Sequence, residues 1–149
     1  MSSSVPSPME WAFFFQPTRG FVYVRVRGIA AAAGFRTVRA AMVADGRFDP
    51  MLSLILDLRD LDLSPLTSQD IANLASTTEF DQKARRAVVV SRAEQFGLCR
   101  MYQTHRELHG GTESIKVVYS MREAMNWLDL TEVSIPIGDA RSESDGRDT

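Results

Sequence analysis

Strand-length and helix-length segments alternate along this chain, and the alternation constrains the fold more than any other feature of the sequence. Residues 11–16 (WAFFFQ) and 21–28 (FVYVRVRG) are rich in aromatic and β-branched residues, and the segment between them holds Pro17 and Gly20. These two segments predict a β-hairpin with a turn. Three further strand-length segments, each preceded and followed by a helix-length one, complete the order β-β-α-β-α-β-α-β-α.

The spacing of apolar residues separates helices from strands. A repeat at i, i+4, i+7 and i+11, seen in Ala31, Phe35, Val38 and Met42, predicts a helix with Arg36 and Arg39 turned away from its apolar stripe. Strands are predicted at residues 52–58, 85–91 and 115–119, and helices at about 31–44, 67–78, 91–109 and 120–128.

A hydroxyl residue followed three positions later by an acid predicts the start of a helix, because the two side chains can satisfy free backbone N–H groups at that end. Three such pairs stand where a helix-length segment begins. They are Thr67 with Asp70, Ser91 with Glu94, and Ser120 with Glu123.

Together these elements predict an α/β fold: an N-terminal β-hairpin, then successive right-handed βα units, giving a mixed, mostly parallel sheet of about five strands with four helices. Val22, Val24 and Val26 alternate with Tyr23, Arg25 and Arg27. Leu52 to Leu58 alternate in the same way with Ser53, Ile55 and Asp57. This alternation predicts one well-packed face and one more open face, where a partner or a second copy could bind.

Length and charge narrow the function classes. The 149 residues suit one domain, predicted at 11–130 between a disordered N-terminus (1–10) and a disordered acidic tail (131–149).

Without that tail the chain has 15 basic against 14 acidic residues. Such a body lacks the basic field that attracts nucleic acid or an anionic membrane. One cysteine and no membrane-length apolar run predict a cytoplasmic protein without a disulfide or a membrane span.

The segment LDLRDLDLS (residues 56–64) invites comparison with phosphatases that place D-x-D-x-[TS] after a strand. Asp60, Asp62 and Ser64 match the letters. In those enzymes the first Asp ends the strand, which here is Asp57, and two residues later stands Arg59, which cannot donate a proton as the second acid does. The sequence therefore favours a solvated strand end over a catalytic site.

Two other catalytic alternatives fail on spacing. HRELH (residues 105–109) places two histidines on one helix face, but Glu107 matches neither order used by zinc peptidases, and no third ligand lies nearby. Cys99 and His109 would stand about 15 Å apart along a helix, too far for a nucleophile and its base. We therefore expect no catalytic residues, no metal and no cofactor.

The segment order and several short phrases resemble the SpoIIAA-like (STAS) superfamily of anti-sigma factor antagonists, and within it a divergent, uncharacterised bacterial branch related in fold to CRAL-TRIO lipid-transfer domains. The phrases are RFDP, LDLRD and FGLCRMYQ (residues 96–103). The resemblance covers about residues 11–130. It implies a SpoIIAA-like fold.

In those antagonists, the motif D-S-S-G after the central strand is phosphorylated by a partner kinase. The matching positions here are Pro65, Leu66, Thr67 and Ser68, so only the hydroxyl at the third position is retained. The resemblance implies that this edge, with Asp60 and Ser64, serves as a contact surface. Whether Thr67 is also phosphorylated stays open.

The leading hypothesis from the sequence is a non-enzymatic binding or regulatory module that contacts a protein partner or a second copy. Its contact residues would be Asp60, Ser64, Thr67 and Ser68, with Arg100 and Tyr102 from a second region at the start of the long helix. The alternative is a carrier of a small apolar or lipid-like ligand, as the CRAL-TRIO relationship implies. An unrecognised enzyme ranks third.

Overall fold

The computed structural model describes residues 8–80, 84–109 and 114–130, and these form a mixed six-stranded sheet with four helices. The strands are β1 (Glu10–Gln16), β2 (Phe21–Ile29), β3 (Ser53–Asp57), β4 (Leu61–Asp62), β5 (Arg85–Val89) and β6 (Ser114–Val118). The helices are α1 (Ala32–Ala44), α2 (Ser68–Leu74), α3 (Ala93–Leu108) and α4 (Met121–Trp127). The predicted fold class is confirmed.

The sheet has the order β1-β2-β3-β5-β6. Strands β1 and β2 form the predicted antiparallel hairpin, and the other neighbours on this path are parallel. The hairpin turn is a short 3-10 helix that ends at Gly20, whose φ of 79° lies in the left-handed region. Glycine adopts that region without a steric penalty, so the turn prediction at Pro17 to Gly20 is confirmed.

The two-residue strand β4 was not predicted. It pairs in parallel with Gly28 and Ile29 at the end of β2, beyond the residues of β2 that pair with β3. Gly28 has a φ of 101°, which bends β2 at this point, and a glycine inside a strand often marks such a bend. Two residues are too few to show a period of two, which is why the sequence pattern missed this strand.

The two faces of the sheet carry separate cores. On one face the side chains of Val22, Val24 and Val26 pack with buried residues of α1, α2 and α3. On the other, Tyr23 and Ile55 pack with Met121, Ala124 and Leu128, which belong to or follow α4. The predicted open face is therefore wrong at its centre, because α4 covers it and leaves Tyr23, Ile55 and Asp57 each no more than 3% exposed.

Two of the three predicted helix starts are confirmed. Thr67 Oγ1 accepts a hydrogen bond from Asp70 N at 3.0 Å, and Asp70 Oδ2 accepts one from Thr67 N at 3.0 Å. Ser120 Oγ accepts from Glu123 N at 3.1 Å. Helix α2, however, ends at Leu74, four residues before the predicted end.

The predicted pair Ser91 with Glu94 at the start of α3 is wrong by one residue. Helix α3 begins after Arg92, and the side chain that reaches back is that of Gln95, whose Oε1 accepts from Ser91 N at 2.8 Å and from Arg92 N at 3.0 Å. Gln95 is fully buried, and its amide nitrogen donates to Leu58 O and Leu61 O at 2.9 Å each. A glutamine supplies donors as well as acceptors, which Glu94 cannot do.

Several predictions fall outside the described residues. They concern the acidic tail at 131–149, most of the N-terminal segment 1–10 and the glycine pair 110–111. Of the N-terminal segment, residues 8–10 are described, and Glu10 begins β1.

Candidate functional site

The predicted contact edge lies where β3 ends and α2 begins. Asp60, Ser64, Thr67 and Ser68 are all exposed there. Asp60 Oδ2 accepts a hydrogen bond from Arg25 Nη2 at 2.7 Å, and Ser64 N donates to Asp62 Oδ1 at 2.9 Å. Thr67 caps the start of α2 through two hydrogen bonds with Asp70. Hydrogen bonds from the backbone and the hydroxyl of Ser64 also lower the pKa of Asp62, so loop and cap geometry accounts for part of this edge.

A buried cluster stands directly behind this edge, and we call it the strand-end cluster: Asp57, Arg59 and Tyr23. The Asp57 carboxylate accepts from Tyr23 OH at 2.7 Å and from Arg59 Nη2 and Nε at 2.8 and 2.9 Å. Burial raises the pKa of Asp57, but the hydrogen bonds from Arg59 and Tyr23 outweigh it and hold the pKa below its ordinary value. Asp57 is therefore a paired structural anion. It is poorly placed to act as a nucleophile or a base.

The two site residues predicted on α3 point to different sides of the helix. Positions two apart differ by about 200° around a helix, so Arg100 and Tyr102 do not share a face. Arg100 is exposed, and its guanidinium lies 5.9 Å from the ring centre of Phe96. That ring stacks in parallel on Tyr119 at 5.3 Å. Phe96, Arg100 and Tyr119 form an exposed group that we call the aromatic patch.

Tyr102 faces the opposite way, into a cavity of about 140 Å³ between the sheet and helices α1, α2 and α3. The lining is mostly apolar and comes from four strands (β2, β3, β5 and β6) and three helices. It includes Val24, Leu54, Val88, Val38, Ile71 and Cys99. The volume is close to that of an engineered apolar cavity of about 150 Å³ that binds benzene in another protein.

The polar lining gathers at what we call the mouth: Arg39, Glu79 and Tyr102. The side chains of Arg39 and Glu79 are 20% and 27% exposed, so water reaches them. Arg39 Nη2 donates to Leu74 O at 2.6 Å and to Tyr102 OH at 3.2 Å, while Nε lies 3.7 Å from Glu79 Oε1. The mouth joins α1, α3 and the segment after α2.

Two buried groups complete the lining. Arg86 is 6% exposed and lies 5.6 Å from the ring centre of Phe80. Cys99 is buried on α3, three residues before Tyr102, and burial raises the pKa of its thiol to about 12. A thiol with that pKa stays protonated near neutral pH and is a poor nucleophile.

The sequence did not predict Arg39 and Glu79 as residues of the candidate site. The prediction that Arg39 turns away from the apolar stripe is wrong, whereas Arg36 is exposed as predicted. Arg39 follows Phe35 by four residues and therefore shares its helix face, which was the available signal. Glu79 lies in a bend outside any helix, and no periodic pattern marks it.

Two further observations concern metal binding and membrane spanning. Within residues 8–80, 84–109 and 114–130 no three His, Cys, Asp or Glu side chains gather closely enough to hold a metal ion. In the same part of the chain, no helix combines the length and the apolar character needed to cross a membrane.

The strand order and the helices on both faces of the sheet define an α/β domain. A crystal structure of an uncharacterised protein from the DUF3478 family, with a SpoIIAA-like fold and from Shewanella loihica PV-4, is similar to this chain. The two share 18% sequence identity and a TM-score of 0.50, over 82% of this chain and 96% of that one. The predicted SpoIIAA-like fold is thereby confirmed, and at this identity the likeness concerns the fold alone. No family model and no curated protein sequence matches the chain.

Proposed function

We propose that this protein is a non-enzymatic binding module whose cavity takes a small apolar ligand. The observation that carries the proposal is the cavity of about 140 Å³, whose lining is mostly apolar and includes the part-exposed polar residues Arg39, Glu79 and Tyr102. This is the carrier alternative from the sequence, and the cavity supports it. The neutral thiol of Cys99 and the paired carboxylate of Asp57 support a binding role over a catalytic one.

The apolar lining of the cavity supports a ligand. An apolar molecule that packs against these side chains leaves water and gains dispersion contacts with them. Its binding stabilises the folded state by mass action.

The volume also favours a compact ligand over a lipid-like one. A benzene-sized molecule fills a void of this size, whereas ligand sites for larger molecules usually measure about 300–1,000 Å³. An acyl chain would have to push the three helices apart. We therefore choose the small apolar ligand within the carrier alternative.

Toluene is a suitable probe, and thermal unfolding with increasing toluene is the measurement. We expect the melting temperature of the natural protein to rise with toluene, and Val38→Phe to abolish the rise, because Val38 lines the cavity. Val43→Phe places the same side chain on an exposed position of the same helix and should respond as the natural protein does.

An absent response in the natural protein, or an equal response in Val38→Phe, would overturn the proposal. Cys99→Leu fills the cavity from α3 and replaces Val38→Phe if that variant does not fold. Circular dichroism and the urea midpoint establish folding for each variant.

A second candidate function is self-association through the aromatic patch and the neighbouring Asp60 to Ser68 edge. Its specific support is the exposure of Tyr119, 51% exposed, stacked on Phe96 and beside Arg100. Tyr and Arg are enriched at protein contacts. This candidate is the leading hypothesis from the sequence. A cytoplasmic location is proposed with it, supported by the single cysteine.

Sedimentation equilibrium between low and high micromolar concentration tests this second candidate. We expect a dimer that weakens at least tenfold in Tyr119→Ser and Arg100→Ala, because both changes remove patch contacts. Arg36→Ala, an exposed arginine on α1, is the matched control and should leave the dimer intact. A monomer throughout that range, or a dimer unchanged by the patch variants, would contradict it.

A further inference from the structure

The mouth of the cavity holds hydrogen-bond donors that the fold does not use. A guanidinium carries five N–H groups. Arg39 Nη2 uses both of its own on Leu74 O and Tyr102 OH, and Nε lies beside Glu79. Across the described ranges, Nη1 of Arg39 donates to no acceptor. The guanidinium thus has two N–H groups available at a position that water reaches.

Tyr102 adds a further donor at the same place. Its oxygen accepts the hydrogen bond from Arg39 Nη2 at 3.2 Å, which leaves the phenolic hydrogen to point elsewhere. Among the residues that the structure describes, that hydrogen has no acceptor. Two neighbouring side chains, from α1 and α3, therefore offer donors and no competing acceptor except the Glu79 carboxylate.

The donors at the mouth favour an oxygen acceptor. Arg39 is positively charged, its Nη1 donates to no acceptor within the described ranges, and its Nε lies 3.7 Å from the Glu79 carboxylate. The surrounding apolar side chains lower the local dielectric constant, which strengthens attraction to a ligand charge. A carboxylate has two oxygens, so one can accept from Arg39 Nη1 and the other from the Tyr102 hydroxyl.

We propose that the ligand is a compact monocarboxylate: an aromatic or branched apolar body in the cavity, with its carboxylate at Arg39 and Tyr102. The inference rests on the proposed function and names the ligand class for the same site. The apolar body packs against the apolar lining of the cavity. The carboxylate accepts hydrogen bonds from the donors of Arg39 and Tyr102 that the fold leaves available. No covalent step is involved.

Benzoate and benzamide make a matched pair of probes, because they differ mainly in charge. At pH 7, isothermal titration calorimetry should give at least about tenfold tighter binding for benzoate, as expected for hydrogen bonds to a charged group. Arg39→Gln should reduce benzoate affinity to that of benzamide, so the ratio of the two affinities is the readout. Tyr102→Phe should weaken benzoate several-fold relative to benzamide. Arg36→Gln, on the same helix, is the control and should change nothing.

A comparison with decanoate separates a compact acid from a fatty acid. Decanoate carries the same carboxylate on a chain that outgrows the cavity, so we expect it to bind more weakly than benzoate. Tighter binding of decanoate would overturn the compact class and point to a fatty acid.

The outcomes distinguish this inference from the proposed function. Equal affinity for benzoate and benzamide, with toluene still bound, overturns the carboxylate and leaves the cavity as a binding site. Loss of toluene and benzoate binding together in a folded Arg39→Gln would show a structural role for Arg39 and overturn the inference as well. If none of the probes binds the natural protein, the proposed function itself fails.

Discussion

The strand-end cluster and the cavity mouth contain the same three chemical groups, a carboxylate, a guanidinium and a phenol, on opposite faces of one sheet. In the strand-end cluster, Arg59 and Tyr23 close on Asp57 with bonds of 2.7 to 2.9 Å. At the mouth, Arg39 lies 3.7 Å from Glu79 and keeps donors available beside the cavity. Residue type is the same in both places. The degree to which the groups satisfy one another separates the structural cluster from the proposed binding site.

The largest expected effect of a single substitution is at Asp57. Asp57→Asn removes the negative charge from a pair in which Asp57 is 3% exposed and leaves the Arg59 charge only partly solvated. Breaking one side of a buried pair costs about 3–5 kcal/mol, and since Arg59 is 31% exposed we expect the lower end, about 3 kcal/mol. Urea unfolding at pH 7 measures it. If the free energy of unfolding fell by less than about 1 kcal/mol, Arg59 and Tyr23 would not be paired with Asp57 as described.

Acid should weaken the fold through the same groups. Hydrogen bonds from Arg59 and Tyr23 hold the pKa of Asp57 below its ordinary value, and the Arg47 side chain lowers that of Asp45 to about 2. A depressed folded-state pKa gives stability that is complete above the unfolded pKa, about 4, and lost as pH falls through the folded value.

The urea midpoint should therefore be steady from pH 7 to 5 and fall between about pH 4 and 2. Asp57→Asn should fall less steeply, because one contributing carboxylate is gone. If the urea midpoints of the variant and the natural protein fell equally with pH, Asp57 would not be a source of the acid sensitivity.

At the cavity mouth the matching substitution should cost less. Arg39→Gln removes the bond to Leu74 O and the pair with Glu79, in a place that water reaches, so we expect a loss of about 1 kcal/mol. Urea unfolding compares it with Asp57→Asn directly. Arg36→Gln should stay within about 0.5 kcal/mol of the natural protein. A cost at Arg39 equal to that at Asp57 would erase the distinction between the two regions.

The smallest effect is expected at the predicted contact edge. Asp60 is 59% exposed and pairs with Arg25 at 2.7 Å, and exposed pairs contribute about 0.2–1 kcal/mol. Asp60→Asn should therefore lower the free energy of unfolding by no more than about 0.5 kcal/mol. If the edge is a contact surface, the same variant weakens the dimer in sedimentation while unfolding hardly changes. A large loss of stability would assign Asp60 to the strand-end cluster.

The sequence predicted the features that depend on neighbours along the chain. The hairpin turn at Pro17 to Gly20 and the cap formed by Thr67 and Asp70 were both predicted correctly, because their partners lie within a few residues. The five longer strands have enough residues to show the composition that is typical of a β-strand. The SpoIIAA-like fold followed from their order.

What the sequence did not predict depends on partners far along the chain. The cavity is shaped by strands and helices from residue 24 to residue 115, and no local pattern encodes an unfilled volume. Arg39 meets Tyr102 across 63 positions. The covering of the second face by α4 likewise depends on tertiary packing, which overrides the strand alternation that predicted an open surface. Asp60, Ser64, Thr67, Ser68, Arg100 and Tyr102 all remain predicted binding or regulatory residues.

The buried side chain of Gln95 has a consequence for the order in which the chain folds. Its amide nitrogen donates to the carbonyls of Leu61 and Leu58, 34 and 37 positions earlier in the chain, at the start of β4 and in the connection that leads to it. That connection cannot gain its final hydrogen bonds until the start of α3 has docked against it. Contacts so distant in sequence slow folding, because the intervening loop must close first. We therefore expect the two segments to be protected late and together when amide hydrogen exchange is followed during refolding.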